Sequence, residues 1–219
     1  MVRQVIQKVS RNLGDYGIKV TVVKSILHII SPIYEFTTYR IYRIDLETAP
    51  KPSPLNDTDI IVRLLAIDDI DLILQIENYA EFLQGRIQKV IAGHGFCLVA
   101  VRGDELAGFN LISSGKVYMP LVKLHRVFAP AEAWSEHIAI LPNFRRKGLA
   151  SHLRHIVFEE LRCRQFKRLY GGTLKSNKAS LKLAERVGFR VFADIEYIGI
   201  LWCKFQRYRR IRDDTNRES

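Results

Sequence analysis

The stretch Ser135-Glu-His-Ile-Ala-Ile-Leu-Pro-Asn-Phe-Arg-Arg-Lys-Gly-Leu-Ala150 decides how the chain reads. Its first half, through Leu141, is largely apolar and β-prone. Pro142-Asn143 ends that strand, because proline lacks a ladder N–H and asparagine favours turns. Arg145, Arg146, Lys147 and Gly148 then lead into an amphipathic helix opened by Leu149-Ala150-Ser151. A strand feeding a basic, glycine-bearing turn into a helix builds an anion site. The first-turn amides have no intrahelical partner, the macrodipole is positive there, and glycine lets a phosphate approach the backbone. A solvated basic turn between two elements is the competing reading of these residues alone.

Working outward, the helix runs from Gly148 to about Arg164. Leu149, Leu153, Ile156, Val157 and Leu161 form its apolar stripe, with Arg154 and Glu159 outside it. Strand Arg168–Leu174 follows, then a turn through Asn177 and a short helix carrying Leu181, Leu183, Ala184 and Val187 that stops at Gly188. Strands at 189–193 and about Glu196–Tyr208 close the domain, and Arg209–Ser219 is too polar to pack. Upstream, Ile60–Leu65 reads as a strand, and two helices are expected from about Asp68 to Tyr79 and from Ala80 to Ala92. Phe96–Arg102, Gly103-Asp104 and Glu105–Ile112 spell a hairpin. Residues 113–133, with Gly115, Pro120 and Pro130, read as irregular or partly stranded.

Residues 1–57 read as an extension: a weak helix at Val2–Asn12, an apolar helical face from Ile18 to Ile33, and a strand-like Phe36–Leu46. Pro50, Pro52 and Pro54 then form a linker that places the main boundary at Asp57. The expected division is therefore 1–57, 58–208 and a tail, 209–219.

With 219 residues, 47% hydrophobic and 26% charged, the chain has an ordinary globular composition. Cys97, Cys163 and Cys203 are widely spaced, without metal-ligand spacing, and read as buried hydrophobes in a reducing compartment. His152 and His155, three apart on the helix, lack a third ligand, so no metal is expected. No secretory signal is visible, and the longest apolar run, Ser25–Tyr34, is too short to span a bilayer; a cytoplasmic location is expected. The net charge of +11 argues for anionic partners, and its scatter without a nucleic-acid motif argues against nucleic acid.

The element order, with the opening stretch at its centre, resembles the GNAT superfamily of acyl-CoA-dependent N-acyltransferases over residues 58–208. The superfamily's Arg/Gln-x-x-Gly-x-Gly/Ala signature stands here as Arg145-Arg-Lys-Gly-Leu-Ala150. Its second block stands as Asn177-Lys-Ala-Ser-Leu-Lys-Leu-Ala-Glu-Arg-Val-Gly-Phe189. The resemblance implies an α/β (α+β) fold: a mixed, mostly antiparallel sheet of six to seven strands, splayed at the acyl-CoA site and flanked by about four helices.

It also implies residue roles. Backbone amides around Arg146, Leu149, Ala150 and Ser151 would cradle the coenzyme A pyrophosphate, with Arg145, Arg146 and Lys147 favouring its charge. The edge at Ile138, Ala139 and Ile140 would pair with the pantetheine arm, and Asn177 and Ser180 would line the same channel. Asn177 as a plain helix cap and Ser180 as a solvent-facing residue remain open readings. Glu136, given the parity of Ile138 and Ile140, is the candidate base, and His137 alternates to the other face unless a bulge intervenes. Ala184 stands where many members carry a tyrosine acid, so either the thiolate leaves without that acid, or another residue such as Tyr170 or Tyr197 supplies it, or the catalytic step is weak. The implied activity is transfer of acetyl from acetyl-CoA to a primary amine of a small molecule or peptide. The alternatives are a longer acyl donor, on coenzyme A or an acidic carrier protein, and a non-catalytic acyl-CoA-binding module. A homodimer through the extension is a further option.

Overall fold

A strand whose side chains bury on both faces belongs to a sheet covered on both sides. Tyr34–Asp45 (β1) is such a strand. Tyr39 and Ile41 join the apolar cluster on one face, and Tyr42 and Ile44 join the cluster on the other. The computed structural model describes residues 34–51, 55, 59–66, 70, 73, 85–88, 92, 95–200 and 203–210.

After β1 come β2 (Ile61–Leu64), β3 (Gly95–Arg102), β4 (Glu105–Ser114), β5 (Lys116–Met119), β6 (Leu124–Val127) and β7 (Glu132–Ile140). Helix α1 (Leu149–Cys163), β8 (Arg168–Leu174), helix α2 (Lys178–Arg186), β9 (Arg190–Ile200) and β10 (Cys203–Arg210) complete the order. Eight strands form one sheet in the order β10-β9-β1-β8-β7-β4-β3-β2, and β5 and β6 form a separate hairpin. All described pairings are antiparallel except β7 with β8.

Two expectations are corrected here, and that of a partly stranded 113–133 is made definite. The strand assigned to an extension beyond a boundary at Asp57 lies inside the sheet, bonded to β8 through Tyr39–Asp45 and to β9 through Tyr34–Arg43. The segment after it is pinned as well: the Arg162 guanidinium donates to the Leu46 and Ala49 carbonyls at 2.7 and 2.6 Å. Residues 113–133 hold the β5–β6 hairpin, joined by a 3-10 turn at Pro120–Val122, and Val117, Met119 and Val122 bury beneath it. The strand expected to end at 193 continues through Ile200, and the last strand spans Cys203–Arg210. Asp194 stays in β9 because Arg40 on β1 and Lys175 both bind its carboxylate.

The helices expected at Val2–Asn12 and Ile18–Ile33 fall outside the described residues, as does most of the Asp68–Ala92 helix pair, where Ile70, Ile73 and 85–88 are helical. Cys97 is buried, but Cys163 and Cys203 are exposed, at a helix end and on an edge strand. No described helix is long and apolar enough to cross a membrane.

Helix α1 covers one face of the sheet. Leu149, Leu153, Val157, Phe158 and Leu161 bury to 1% exposure or less, each contributing about 1.5–3 kcal/mol relative to an exposed side chain. Arg154, read as solvent-facing, is 8% exposed. Its guanidinium donates to Ser135 Oγ at 2.6 Å and lies over the Phe189 ring, so the helix buries a wider face than its aliphatic stripe. Burial lowers its pKa to about 10.

Candidate functional site

Four residue pairs, Glu132–Arg168 to Ser135–Gly171, join β7 to β8. Beyond them the two strands part, and Glu136–Ile140 runs on beside β4 alone. The Leu141 amide bonds Ala107 on β4 at 2.9 Å. Backbone groups of successive strand residues point to opposite edges, so those of Ile138 and Ile140 face the gap and those of Ala139 face β4. Arg145 reaches back to this edge, its Nε donating to the Ile140 carbonyl at 2.9 Å.

The mouth of the gap lies at the turn that follows β7. Pro142–Phe144 makes a 3-10 turn, with the Phe144 ring buried as its anchor. Arg146 adopts a left-handed φ of 64° and Gly148 one of 81°. Helix α1 begins without a side-chain cap, and its first internal bonds run from the Ser151 and His152 amides to the Gly148 carbonyl. The Leu149 and Ala150 amides therefore sit ahead of the hydrogen-bonded helix, at its positive end. Arg145, Arg146, Lys147 and Gly148 are all exposed, and a Cβ built on Gly148 would meet open space. Amides, cations and room are what a pyrophosphate requires, so these residues fit a coenzyme A group.

The inner end of the gap differs from expectation. Leu111 pairs with His137 and Ile112 with Ser135, leaving Glu136 as the extra residue of a bulge on β7. Ile138 and Ile140 pack with the α1 cluster. Glu136 instead pairs with Arg86 on the opposite face, and His137 lies there too, its ring 5.7 Å from Phe109. The parity assigned to Glu136 is thus corrected, and the bulge turns both side chains to the face away from α1. Arg86 also donates to the Tyr118 carbonyl at 3.3 Å, tying the carboxylate to the β5–β6 hairpin. Asn110 donates to the His137 carbonyl at 2.9 Å and to Ser135 Oγ at 3.2 Å, which secures the bulge from β4. Burial, with Arg86 and Arg154 adding to it, lowers the His137 pKa to about 4.

Neither tyrosine named from the sequence is brought to the gap as a free hydroxyl. Tyr170 lies beside it but donates to Glu132 at 3.0 Å. Tyr197 stands on β9, and the insertion of β1 places it three strands from β7, roughly 14 Å at the usual strand spacing. Its hydroxyl accepts from Lys123 Nζ at 2.9 Å, and that ammonium also binds Glu35 at 2.7 Å. Asn177 is the cap of α2, its Oδ1 accepting from the Ser180 amide at 3.1 Å, and Ser180 is half-buried. Among the described residues no group of three or more His, Cys, Asp or Glu is placed to hold a metal ion.

Sequence reasoning missed Arg86 and Tyr39. Arg86 carries no local pattern of its own. Tyr39 was visible as a β-former but assigned outside the domain. A Cβ on Gly172 would meet its ring and hydroxyl at 2.3 to 2.8 Å, so the phenol lies directly over the first β8 residue past the last β7 pairing.

Residues 63–189 match the family model described as the acetyltransferase (GNAT) family. No curated protein sequence matches the chain. Among solved structures, a GCN5-related N-acetyltransferase from Sphaerobacter thermophilus superposes with a TM-score of 0.55 at 16% identity, covering 87% of this chain and 58% of that one. A GNAT-family acetyltransferase structure from Novosphingobium aromaticivorans gives 0.51 at 18% identity, over 76% and 66%. A GCN5-related glucosamine N-acetyltransferase region of a fungal multi-domain β-N-acetylglucosaminidase gives 0.59 at 11% identity, over 87% and 23%. This chain spans 55% and 58% of the first two matched structures' lengths. At these identities the likeness is one of fold.

Proposed function

The chain belongs to the GNAT acetyltransferase family, and we propose that it transfers an acyl group, in the simplest case acetyl, from coenzyme A to a primary amine of a small molecule or peptide. One observation carries this reading: the sheet opens between β7 and β8 in line with an uncapped, cationic helix N-terminus. The backbone edge of Ile138 and Ile140 matches the amides of a pantetheine arm. The Leu149 and Ala150 amides, with Arg145, Arg146 and Lys147, match the pyrophosphate charge. In this reading Ala139, Ser151, Asn177 and Ser180 would lie along the same channel.

Coenzyme A supplies the activated thioester, and the chain's residues supply placement and proton handling. Glu136 stands at the inner end of the gap on the face away from α1, where a carboxylate takes a proton from the nitrogen of the attacking neutral amine as the C–N bond forms. Its ion pair with Arg86 fixes the carboxylate's direction. The acceptor amine approaches from that face, beneath the β5–β6 hairpin.

Calorimetric titration with acetyl-CoA and with longer acyl-CoA donors tests this reading, alongside Gly148→Glu. Saturable binding that the Gly148→Glu change removes supports the cradle, because its carboxylate would stand among the same amides. The chain-length series ranks the donors, and an amine screen follows with the preferred one. Absence of binding by every acyl-CoA would leave the reading without its donor.

A further inference from the structure

Resting on the acyl-transfer reading, we infer that Tyr39, from the strand inserted between β8 and β9, is the proton donor to the departing thiolate. The residue reaches the reaction zone by way of β1, whose partners at Tyr39 are Leu174 on β8 and Ile195 on β9. Its ring leans diagonally back along β8 and rests on Gly172, where a side chain would collide with it. Gly171 is the last β8 residue paired with β7, so Gly172 is the first residue of the β8 wall of the gap. The hydroxyl therefore lies at the inner end of the opening, where the thioester sulfur of a donor threaded along Ile138 and Ile140 arrives.

The surroundings suit an acid. Tyr39 is 7% exposed, and burial, followed by the nearby Glu136 charge, raises its pKa while Arg86 opposes that rise. The phenol thus holds its proton through neutral pH. Among the described residues no hydrogen bond engages its hydroxyl, whereas Tyr170 is committed to Glu132 and Tyr197 to Lys123. These are the titratable groups that face it: Glu136 and Arg86 by charge, and Tyr170 and Tyr197 within the same buried cluster.

The step balances as follows. The amine nitrogen attacks the thioester carbon and its proton passes to Glu136. The C–S bond breaks with its electron pair going to sulfur, and the Tyr39 O–H proton moves to that sulfur. The proton on Glu136 then returns to the Tyr39 phenolate through solvent, leaving amide and thiol as the only products. The inserted strand thus restores the function left open by Ala184.

Tyr39→Phe keeps the ring over Gly172 and removes only the hydroxyl. The expected result is a fall in kcat of ~10²-fold or more, with the acetyl-CoA dissociation constant from calorimetry unchanged. Replacing Tyr39 with 3-fluorotyrosine, whose phenol is a stronger acid yet still protonated near neutral pH, is expected to raise kcat at fixed pH, which a packing role would leave unchanged. Equal kcat in Tyr39→Phe, or a kcat indifferent to the fluorination, would overturn the inference. If the unaltered protein binds acetyl-CoA and turns over an amine, either result counts against Tyr39 alone. If it binds no acyl-CoA, the acyl-transfer reading fails first.

Discussion

Burial keeps the His137 imidazole neutral, with a pKa of about 4 in the folded chain against an ordinary 6.5. The unfolded chain binds the extra proton between those values, so stability rises with pH across that window and is lost as pH falls toward 4. At pH 5 the expected loss from this one group is roughly 2 kcal/mol relative to pH 7. Urea denaturation of the protein and of His137→Gln at both pH values checks this, with the variant showing the smaller acid-side decline. The low pKa also separates the roles of two neighbours. An imidazole this reluctant to hold a proton makes a poor base, which leaves Glu136 as the proposed one. Glu136→Gln is accordingly expected to lower kcat by ~10²–10⁴-fold and leave acyl-CoA binding intact, which steady-state kinetics and calorimetry distinguish.

At the scale of elements, what could be read from the sequence was whatever local residues determine. Pro142, Gly148 and the apolar spacing of α1 fix the strand end, the left-handed turn and the helix start within a few residues of one another, and each lies where expected. Asn177 caps α2, one of the two readings that its position in the sequence left open. The bulge at Glu136 was not legible, because it arises from the register of β7 against β4 and from Asn110, 25 residues from the Ser135 it binds. A strand's own alternation carries no mark of a residue inserted between two ladder bonds. Arg154 escaped for a related reason: its acceptor Ser135 belongs to another element, 19 residues away. Sequence periodicity sorts arginine to the outside, and only the assembled sheet offers it a buried oxygen.

For the whole molecule, the proline-rich stretch after β1 is misleading as a boundary. Pro50, Pro52 and Pro54 look like a linker, yet β1 before them carries backbone bonds to both β8 and β9, and the Arg40–Asp194 pair at 2.8 Å joins it to β9. A chain limited to residues 58–208 would leave β8 and β9 with unpaired edges facing a slot one strand wide. Such edges aggregate and lose the core that Tyr39, Ile41, Tyr42 and Ile44 fill. That fragment is expected to show no cooperative thermal unfolding in calorimetry, whereas a chain beginning ahead of Tyr34 should unfold in one transition. A second copy of the peptide 34–46 added to the fragment should restore the transition if the slot is otherwise intact.

The position of β1 also sets an order on biosynthesis. It leaves the ribosome before every other described strand, but Asp194, the partner of its Arg40, is made 154 residues later. At common elongation rates of ~5–20 residues per second that delay is roughly 8–30 s. Until β8 is made, a segment rich in tyrosine and isoleucine waits with both edges open, and until β9 follows one edge stays open, while the β2–β4 meander can form without it. The nascent chain therefore carries an unpaired strand edge for most of this interval, and slower translation of the C-terminal half lengthens the exposure instead of easing it.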